Sequence, residues 1–300
     1  MARLSGKFSQ DKDYSWLGNL GRIDMILASP ECTSHTCARG NRDRCDDSRN
    51  TAFLVLKFID HFRPRWVIIE NVVHMKRWER YREFIGELRN RGFSVGEQTL
   101  DAAGFGVPQN RRRLFIVCDR EAAEVPVIMP SRSATQIARD ILDPCGVWRR
   151  SPLDNGKRAL PTLERAGRAI KELGKGIPFL VVYYGSDAAG GWQSLERPIR
   201  TLTTLDRFGL VEWENGIPTL RMLQVSELKR AMGFTDNFVL SQGCRRDRFK
   251  VLGNGVCPPV MASIVEQVAW KYGCQHIVPE MKFFRNGFGL AVNHESEVHV

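Results

Sequence analysis

The sequence predicts an α/β protein with a Rossmann-like sheet and a small additional lobe. Apolar runs of strand length alternate with amphipathic runs of helix length through residues 1–118. The first two strands end in short polar motifs instead of hairpin turns, which is typical of strands joined by crossover helices. After residue 119 the pattern breaks into short apolar pieces separated by prolines and basic residues, which indicates a separate lobe.

Composition narrows the class of protein. The 300 residues are 43% hydrophobic and carry a net charge of +10, so the chain can bury a core and favours a polyanionic partner, although charge alone does not establish one. No apolar run has the length of a membrane span and the N-terminus lacks a signal peptide's apolar core, so we expect a cytoplasmic protein without a membrane partner. The eight cysteines form no CxxC pair, which predicts free thiols and no metal site.

The first strand and its loop organise the rest of the chain. The apolar run at residues 23–27 predicts a buried strand that places Cys32 on the loop at its carboxyl end. A helix over residues 51–62 then leads to a second strand at residues 66–69. Because strands joined by a crossover helix run parallel, Glu70 reaches the same sheet edge as Cys32, whereas an isolated loop cysteine is more often inert.

The next segment completes the predicted sheet. Residues 77–91 predict a helix and residues 93–100 a third strand, followed by a glycine-rich turn at residues 104–108. The segment at residues 109–113 then leads into a strand over residues 114–118, so three arginines lie where that strand begins. Without further context, such a triplet is equally consistent with a solvated edge.

The remaining chain divides by composition. A basic run begins at Arg149 and continues to Lys175, and for each single charge a solvated, loop-rich insertion is the simpler explanation. Helices are predicted near residues 226–232 and over residues 260–272. The predicted organisation is a catalytic α/β region at 1–118, a small target-recognition lobe at 119–196, a segment returning to the catalytic region at 197–272, and an unassigned tail at 273–300.

Six short motifs occur in a characteristic order along this framework. They are Ser-Pro-Glu-Cys-Thr at 29–33, Ser-Arg-Asn-Thr at 48–51, Glu-Asn-Val at 70–72, Gln-x-Arg-x-Arg at 109–113, Arg-Pro-x-x-Thr at 197–201 and Gly-Asn-x-Val at 253–256. In this order the chain resembles the DNA (cytosine-5)-methyltransferase family over residues 24–270. The resemblance implies a sheet of the S-adenosylmethionine-dependent methyltransferase type.

The resemblance implies catalytic roles that the chemistry also requires. Carbon 5 of cytosine becomes nucleophilic only after a thiolate adds to carbon 6, and Cys32 is the candidate nucleophile. Glu70, with a pKa raised by burial, would supply a proton to ring N3, although a Glu-Asn pair after a strand is more often a turn or cap. The family further implies that Asn71 braces the loop, that Arg113 holds the cytosine carbonyl and that Arg111 holds a flanking phosphate.

The resemblance also implies a cofactor and a macromolecular partner. The cofactor is S-adenosyl-L-methionine, and the partner is double-stranded DNA from which the target base is flipped. Candidate cofactor contacts are Asn254, Val256 and Ala52. Candidate DNA contacts are Arg49, Gln109, Arg149, Arg150, Thr201 and Thr203.

Two features depart from the family pattern. Glu31 and Thr33 flank the candidate nucleophile where the family usually has proline and glutamine, and a carboxylate beside a thiol disfavours the thiolate. The family's glycine-rich Phe-x-Gly-x-Gly turn has no match before residue 24, and the segment at 284–289 leaves no room for the helix that must follow such a turn. We therefore expect an upstream segment or a separate chain to supply this turn, and the first strand to have an unpaired edge.

The predicted function is methyl transfer from S-adenosylmethionine to carbon 5 of cytosine in DNA, of the restriction–modification kind. A non-catalytic or split-subunit DNA-binding remnant is the alternative, favoured by the missing turn and opposed by the retained Cys32, Glu70, Arg111 and Arg113. An RNA cytosine-5 methyltransferase is a third possibility, which the recognition lobe disfavours.

Overall fold

A computed structural model describes residues 22–31, 46–130, 135–185, 190–270, 282–283 and 290–292. Its main sheet has six strands in the order β12-β13-β1-β2-β5-β3. The strands are β1 Met25–Ala28, β2 Trp66–Asn71, β3 Ser94–Asp101, β5 Arg112–Asp119, β12 Lys282–Phe283 and β13 Leu290–Val292. Strand β1 is parallel to β2, whereas β5 lies antiparallel between β2 and β3. The predicted parallel arrangement of the first two strands is confirmed.

Strand β2 is the centre of the catalytic region and is buried along its whole length. Successive side chains of a strand point to opposite faces, so Trp66 and Ile68 join one apolar core while Val67 and Ile69 join the other. The continuous apolar run in the sequence therefore reflects a sheet that is covered on its two faces.

Helices cover the two faces. Helices α1 (Asp46–Phe62) and α2 (Tyr81–Asn90) pack on the face of Val67 and Ile69, and a 3-10 helix at Val73–Arg77 precedes α2. Helix α6 (Pro258–Trp270) covers the opposite face through Val260, Ile264 and Val268. These bounds agree with the predicted helices to within a few residues, except that α1 begins earlier than expected. No helix in the described part of the chain is both long and apolar enough to cross a membrane.

The outer edge of β1 is not left unpaired. Strand β13, from the tail that sequence analysis left unassigned, pairs antiparallel with β1 through Met25↔Val292 and Ile26↔Ala291. Strand β12 pairs with β13 in turn. The expectation of an unpaired edge was therefore wrong at these two positions, because the sequence of so short a strand gives no indication of its distant partner.

The lobe contains a second sheet that sequence analysis did not predict. Its strands are β6 Ser151–Pro152, β7 Phe179–Val182, β8 Trp192–Ser194, β10 Phe208–Glu214 and β11 Ile217–Met222, in the order β6-β11-β10-β7-β8. Helix α3 (Leu160–Leu173) packs on one face against Phe179 and Val181, while Leu180 and Val182 face the main core. Because β10 and β11 lie beyond residue 197, this sheet crosses the predicted boundary between the lobe and the returning segment.

Four short elements connect the lobe to the catalytic sheet. The two-residue strands β4 (Gln109–Asn110) and β9 (Ile199–Arg200) pair in parallel. Helices α4 (Val225–Ala231) and α5 (Arg245–Asn254) follow the lobe sheet and lead to α6. The segment before β5 is thus bonded directly to the segment between β8 and β10 of the lobe sheet.

Candidate active site

The candidate site lies where β1 and β2 end and β5 begins. Parallel pairing brings Ala28 beside Ile69, and antiparallel pairing brings Asn71 beside Leu114. The loop after β1, the Glu-Asn pair and Arg113 therefore meet at one edge of the sheet, as the order of strands predicts. The loop is described as far as Glu31, and Cys32 lies outside the described residues.

Glu70 is the central carboxyl group of this edge. It is 4% exposed, its Oε2 accepts a hydrogen bond of 2.6 Å from Ser29 Oγ, and its Oε1 lies 3.3 Å from Arg113 Nε. Burial raises the pKa of Glu70, and the charge of Arg113 and the Ser29 hydrogen bond only partly oppose this effect. The site therefore favours a carboxyl group that keeps its proton, which suits a proton donor.

Asn71 and Thr51 hold the loop backbone just before Cys32. Asn71 Nδ2 donates to the carbonyl of Pro30 at 3.1 Å, while its Oδ1 accepts from the Val72 amide at 2.8 Å. The Glu31 amide donates to Thr51 Oγ1 at 3.1 Å. Side chains from β2 and α1 thus fix the two residues that precede the candidate nucleophile. Sequence analysis named neither Ser29 nor Thr51 as site residues, although each belongs to a motif that it singled out.

The three polar residues of the Gln-x-Arg-x-Arg motif have different surroundings. Arg113 reaches Glu70, and its Nη1 donates to the Arg112 carbonyl at 2.9 Å. Gln109 and Arg111, by contrast, are 0% and 3% exposed. Arg111 donates to the carbonyls of Leu202, Gly253 and Gly255 at 3.2, 2.9 and 2.8 Å. In this conformation Gln109 and Arg111 hydrogen-bond to the protein's own backbone. Neither side chain is exposed at the surface, where the predicted contacts of Gln109 with DNA and of Arg111 with a phosphate would require it.

The closing Gly-Asn-x-Val motif packs against the segment that joins β9 to β10. A Cβ atom at Gly253 would lie 2.3 Å from the Thr203 carbonyl oxygen and 2.7 Å from the Thr204 nitrogen. Only glycine allows this approach. Of the two candidate DNA-binding threonines, Thr201 donates from Oγ1 to the Asn110 carbonyl at 2.7 Å, and Thr203 Oγ1 makes a long contact of 3.4 Å with the Leu205 backbone.

The candidate cofactor contacts fit S-adenosylmethionine only in part. Asn254 is exposed and Val256 half-buried, so this segment offers surface that a cofactor can contact. Ala52, on the buried face of α1, is 1% exposed and offers little surface. No glycine-rich turn joins a strand directly to a helix within the described ranges. Burial raises the pKa of Cys257 to about 11, which makes this thiol a poor alternative nucleophile.

The candidate DNA-binding arginines differ in exposure. Arg149 is exposed, but the side chain of Arg150 is only 8% exposed and lies 3.6 Å from Glu212 Oε2 and 3.3 Å from Cys145 Sγ. Arg49, on α1, is buried. Neighbouring residues of an extended chain point to opposite sides, so two adjacent arginines need not share a role. The other exposed basic residues between Arg149 and Lys175 are Lys157, Arg168, Lys171 and Lys175.

Comparison with known proteins matches this architecture to one family. The model of the C-5 cytosine-specific DNA methylase family matches residues 6–270. The chain is 28% identical over 185 residues to the Type II methyltransferase M.HgiDI of Herpetosiphon aurantiacus, spanning 59% of the length of each protein. It is 26% identical over 273 residues to the Type II methyltransferase M.SacI of Streptomyces achromogenes, covering 79% of this chain and 69% of M.SacI.

Solved structures show the same fold at lower identity. The Entamoeba histolytica methyltransferase EhMeth superposes with a TM-score of 0.56 at 14% identity, over 83% of this chain and 77% of that one. A putative DNA modification methyltransferase encoded within an E. coli prophage gives 0.55 at 14% identity, over 86% and 81% of the two chains. The predicted Rossmann-like methyltransferase fold is therefore confirmed.

Proposed function

Because the chain belongs to the C-5 cytosine-specific DNA methylase family, we propose that it transfers a methyl group from S-adenosylmethionine to carbon 5 of cytosine in duplex DNA. The observation that carries this proposal is the buried Glu70, paired with Arg113 beside the loop that leads to Cys32. The Type II methyltransferases that the chain resembles place it with the modification enzymes of restriction–modification systems.

The proposed reaction begins with a covalent adduct. The Cys32 thiolate adds to carbon 6 of cytosine, and ring N3 takes the proton of Glu70 as electron density moves onto the ring. Arg113, which is held beside Glu70, donates to the cytosine carbonyl oxygen and keeps the ring in plane with the carboxyl group. Asn71 holds the Pro30 carbonyl and so fixes the approach of the thiolate.

The adduct makes carbon 5 an enamine carbon. S-adenosylmethionine, when bound, supplies the electrophilic methyl group that this carbon attacks. Loss of the proton from carbon 5 to a solvent base then expels the Cys32 thiolate, and ring N3 returns its proton to Glu70. The aromatic ring is restored and the enzyme is regenerated. Among the described residues, Asn254 and Val256 would contact the cofactor. A segment with a strand, a glycine-rich turn and a downstream acidic residue, in the same polypeptide or another, completes the site in this proposal.

A cytosine within a duplex cannot reach a buried carboxyl group, so the target base must leave the helix. The lobe is the proposed recognition element, and the exposed Arg149 and Lys157 would contact phosphates. Exposed charges at the lobe surface position the duplex in this scheme, whereas the sheet edge performs the chemistry.

Hydrogen exchange at carbon 5 tests the proposed chemistry without the cofactor. The enamine picks up a solvent proton at carbon 5, so duplex DNA with tritium at that position should release tritium to water. Replacement of the nucleophile, Cys32→Ala, should abolish release, while Cys145→Ser, at an exposed cysteine, should not. With S-adenosylmethionine and the glycine-rich segment added, 5-fluorocytosine should trap an adduct on Cys32, since fluorine cannot leave as a proton does. Undiminished release by Cys32→Ala, or capture at Cys145, would refute the proposal.

A further inference from the structure

Gln109 and Arg111 are singled out by sequence but have no task in the proposed chemistry. Alternate residues of an extended segment share a face, so Gln109, Arg111 and Arg113 point to one side. Asn110 and Arg112, which alternate with them, are exposed. The motif therefore places two buried side chains in line with the one that reaches Glu70.

Arg111 joins two distant segments of the chain. Its Nη1 donates to the Leu202 carbonyl at 3.2 Å, and its Nη2 donates to the carbonyls of Gly253 and Gly255 at 2.9 and 2.8 Å. One acceptor lies just beyond β9 and the other two lie at the end of α5. A guanidinium group presents several donors in a fixed fork, whereas a lysine ammonium at the same place cannot span these three acceptors.

Gln109 also hydrogen-bonds to Leu202. Its Oε1 accepts from the Leu202 amide at 2.9 Å, and its Nε2 donates to the Ala231 carbonyl at 2.8 Å. Pairing of Gln109 with Ile199, and the bond from Thr201 Oγ1 to the Asn110 carbonyl, fasten the two segments along their length. The segment between β8 and β10 of the lobe is thus clamped to the residues that precede Arg113.

We propose that Gln109 and Arg111 are positioning residues that fix Arg113 to the recognition lobe. These two side chains, with their hydrogen bonds to the backbone, are called the clamp below. When the lobe docks on DNA, the clamp sets the distance between the docked duplex and Arg113. It thereby sets the place where an extruded cytosine meets Glu70. This proposal rests on the proposed function. It assigns Arg111 a contact with the protein backbone in place of the phosphate contact that the family resemblance implies.

Replacement of Arg111 by lysine separates the two roles. A phosphate contact survives Arg111→Lys because the charge is kept, and tritium release is then unchanged. A clamp does not survive it, and release at saturating DNA should fall on the order of 100-fold, because small misplacements of a reacting group have effects of that size. The dependence of DNA binding on salt should stay as in the wild type, since no phosphate contact is lost. Arg112→Lys makes the same change on the exposed face and is the matched control.

The outcomes distinguish this inference from the proposed function. Absence of tritium release from the wild type refutes the proposed function itself. Wild-type release by Arg111→Lys, with release retained in the control, overturns the clamp. If Arg111→Lys does not fold, Thr201→Val decides, because it removes only the bond to Asn110. Thr201→Val should lower tritium release about tenfold at saturating DNA. The DNA concentration that gives half-maximal release should stay unchanged. Wild-type release, or weaker binding alone, contradicts the clamp.

Discussion

Two buried glutamates, one in each region of the molecule, differ in how many hydrogen bonds their carboxyl groups accept. Glu227, where the lobe meets α4, is 0% exposed and accepts four hydrogen bonds, from Arg221 at 2.8 and 2.6 Å and from the amides of Gln224 and Asp143 at 2.7 and 2.9 Å. Glu70, at the sheet edge, accepts one short bond from Ser29 and has Arg113 at 3.3 Å. A carboxylate whose acceptor sites are all filled holds structure together, whereas Glu70 has hydrogen-bonding capacity left for a substrate.

The largest expected effect comes from Glu70→Gln. Glutamine keeps the shape of the side chain but has no acidic proton to give, so the rate of tritium release should fall by about 10² to 10⁴. Glu227→Gln is the matched control from the other region and should keep the wild-type rate per folded molecule. Equal rates for Glu70→Gln and the wild type would remove the distinction between the two glutamates.

Glu70→Gln should also change the way in which stability depends on pH. Because the pKa of Glu70 is raised above its usual value of 4.5, the folded protein binds this proton more tightly than the unfolded chain does. The contribution of Glu70 to the free energy of unfolding is therefore full below that value and declines as pH rises through the raised pKa. Glu70→Gln should remove this decline, which thermal unfolding from about pH 4 to about pH 8 measures. An unaltered profile would contradict the direction of the shift.

Glu227→Gln should lower the stability of the fold and leave the rate of tritium release per folded molecule unchanged. Removal of Glu227 leaves the buried Arg221 with only the more distant carboxylate of Glu212, at 3.9 Å, and breaking such a buried pair lowers the free energy of unfolding by about 3 kcal/mol. Urea unfolding at neutral pH measures this, with Glu214→Gln at the exposed end of β10 as the control. A loss as small as that of the control would mean that saturation by hydrogen bonds does not mark a structural carboxylate here.

The smallest effect distinguishes two adjacent arginines of the lobe. Arg149 is exposed, so Arg149→Ala should lower the slope of log binding constant against log salt by about 1, because one phosphate contact is lost. Arg150 lies against Glu212 and Cys145, so Arg150→Ala should leave the slope unchanged and lower stability instead. Binding titrations at several salt concentrations measure the slopes, and equal slopes for the two variants would contradict this division.

Sequence patterns predict the catalytic region well because its determinants are local. The buried run of β2 and the polar pair that ends it occupy consecutive residues, so strand, edge and the position of Glu70 follow from one stretch. Pairing with β1 then follows from the handedness of crossover connections. The carboxyl ends of neighbouring strands need no long-range information to be brought together.

The lobe and the clamp depend on long-range contacts and are not predictable in this way. Strand β6 has only two residues, and its partner β11 lies beyond β7, β8 and β10 in the chain. Helix α3 does show apolar residues at helical spacing, at Leu163, Ala166 and Ile170, but the surrounding prolines and basic residues obscured this signal. The role of Arg111 is set by carbonyl groups about 90 and 140 residues away, which no local motif specifies.

The pairing of β1 with β13 has a consequence for synthesis on the ribosome. Strand β1 emerges early and can pair with β2 as soon as α1 has formed, but Leu290–Val292 emerges long after both. Until then, the outer edge of the strand that precedes the candidate nucleophile loop presents unpaired amide and carbonyl groups to neighbouring nascent chains. Strand edges exposed during synthesis promote misassembly, so the nascent chain carries this risk until β13 is translated.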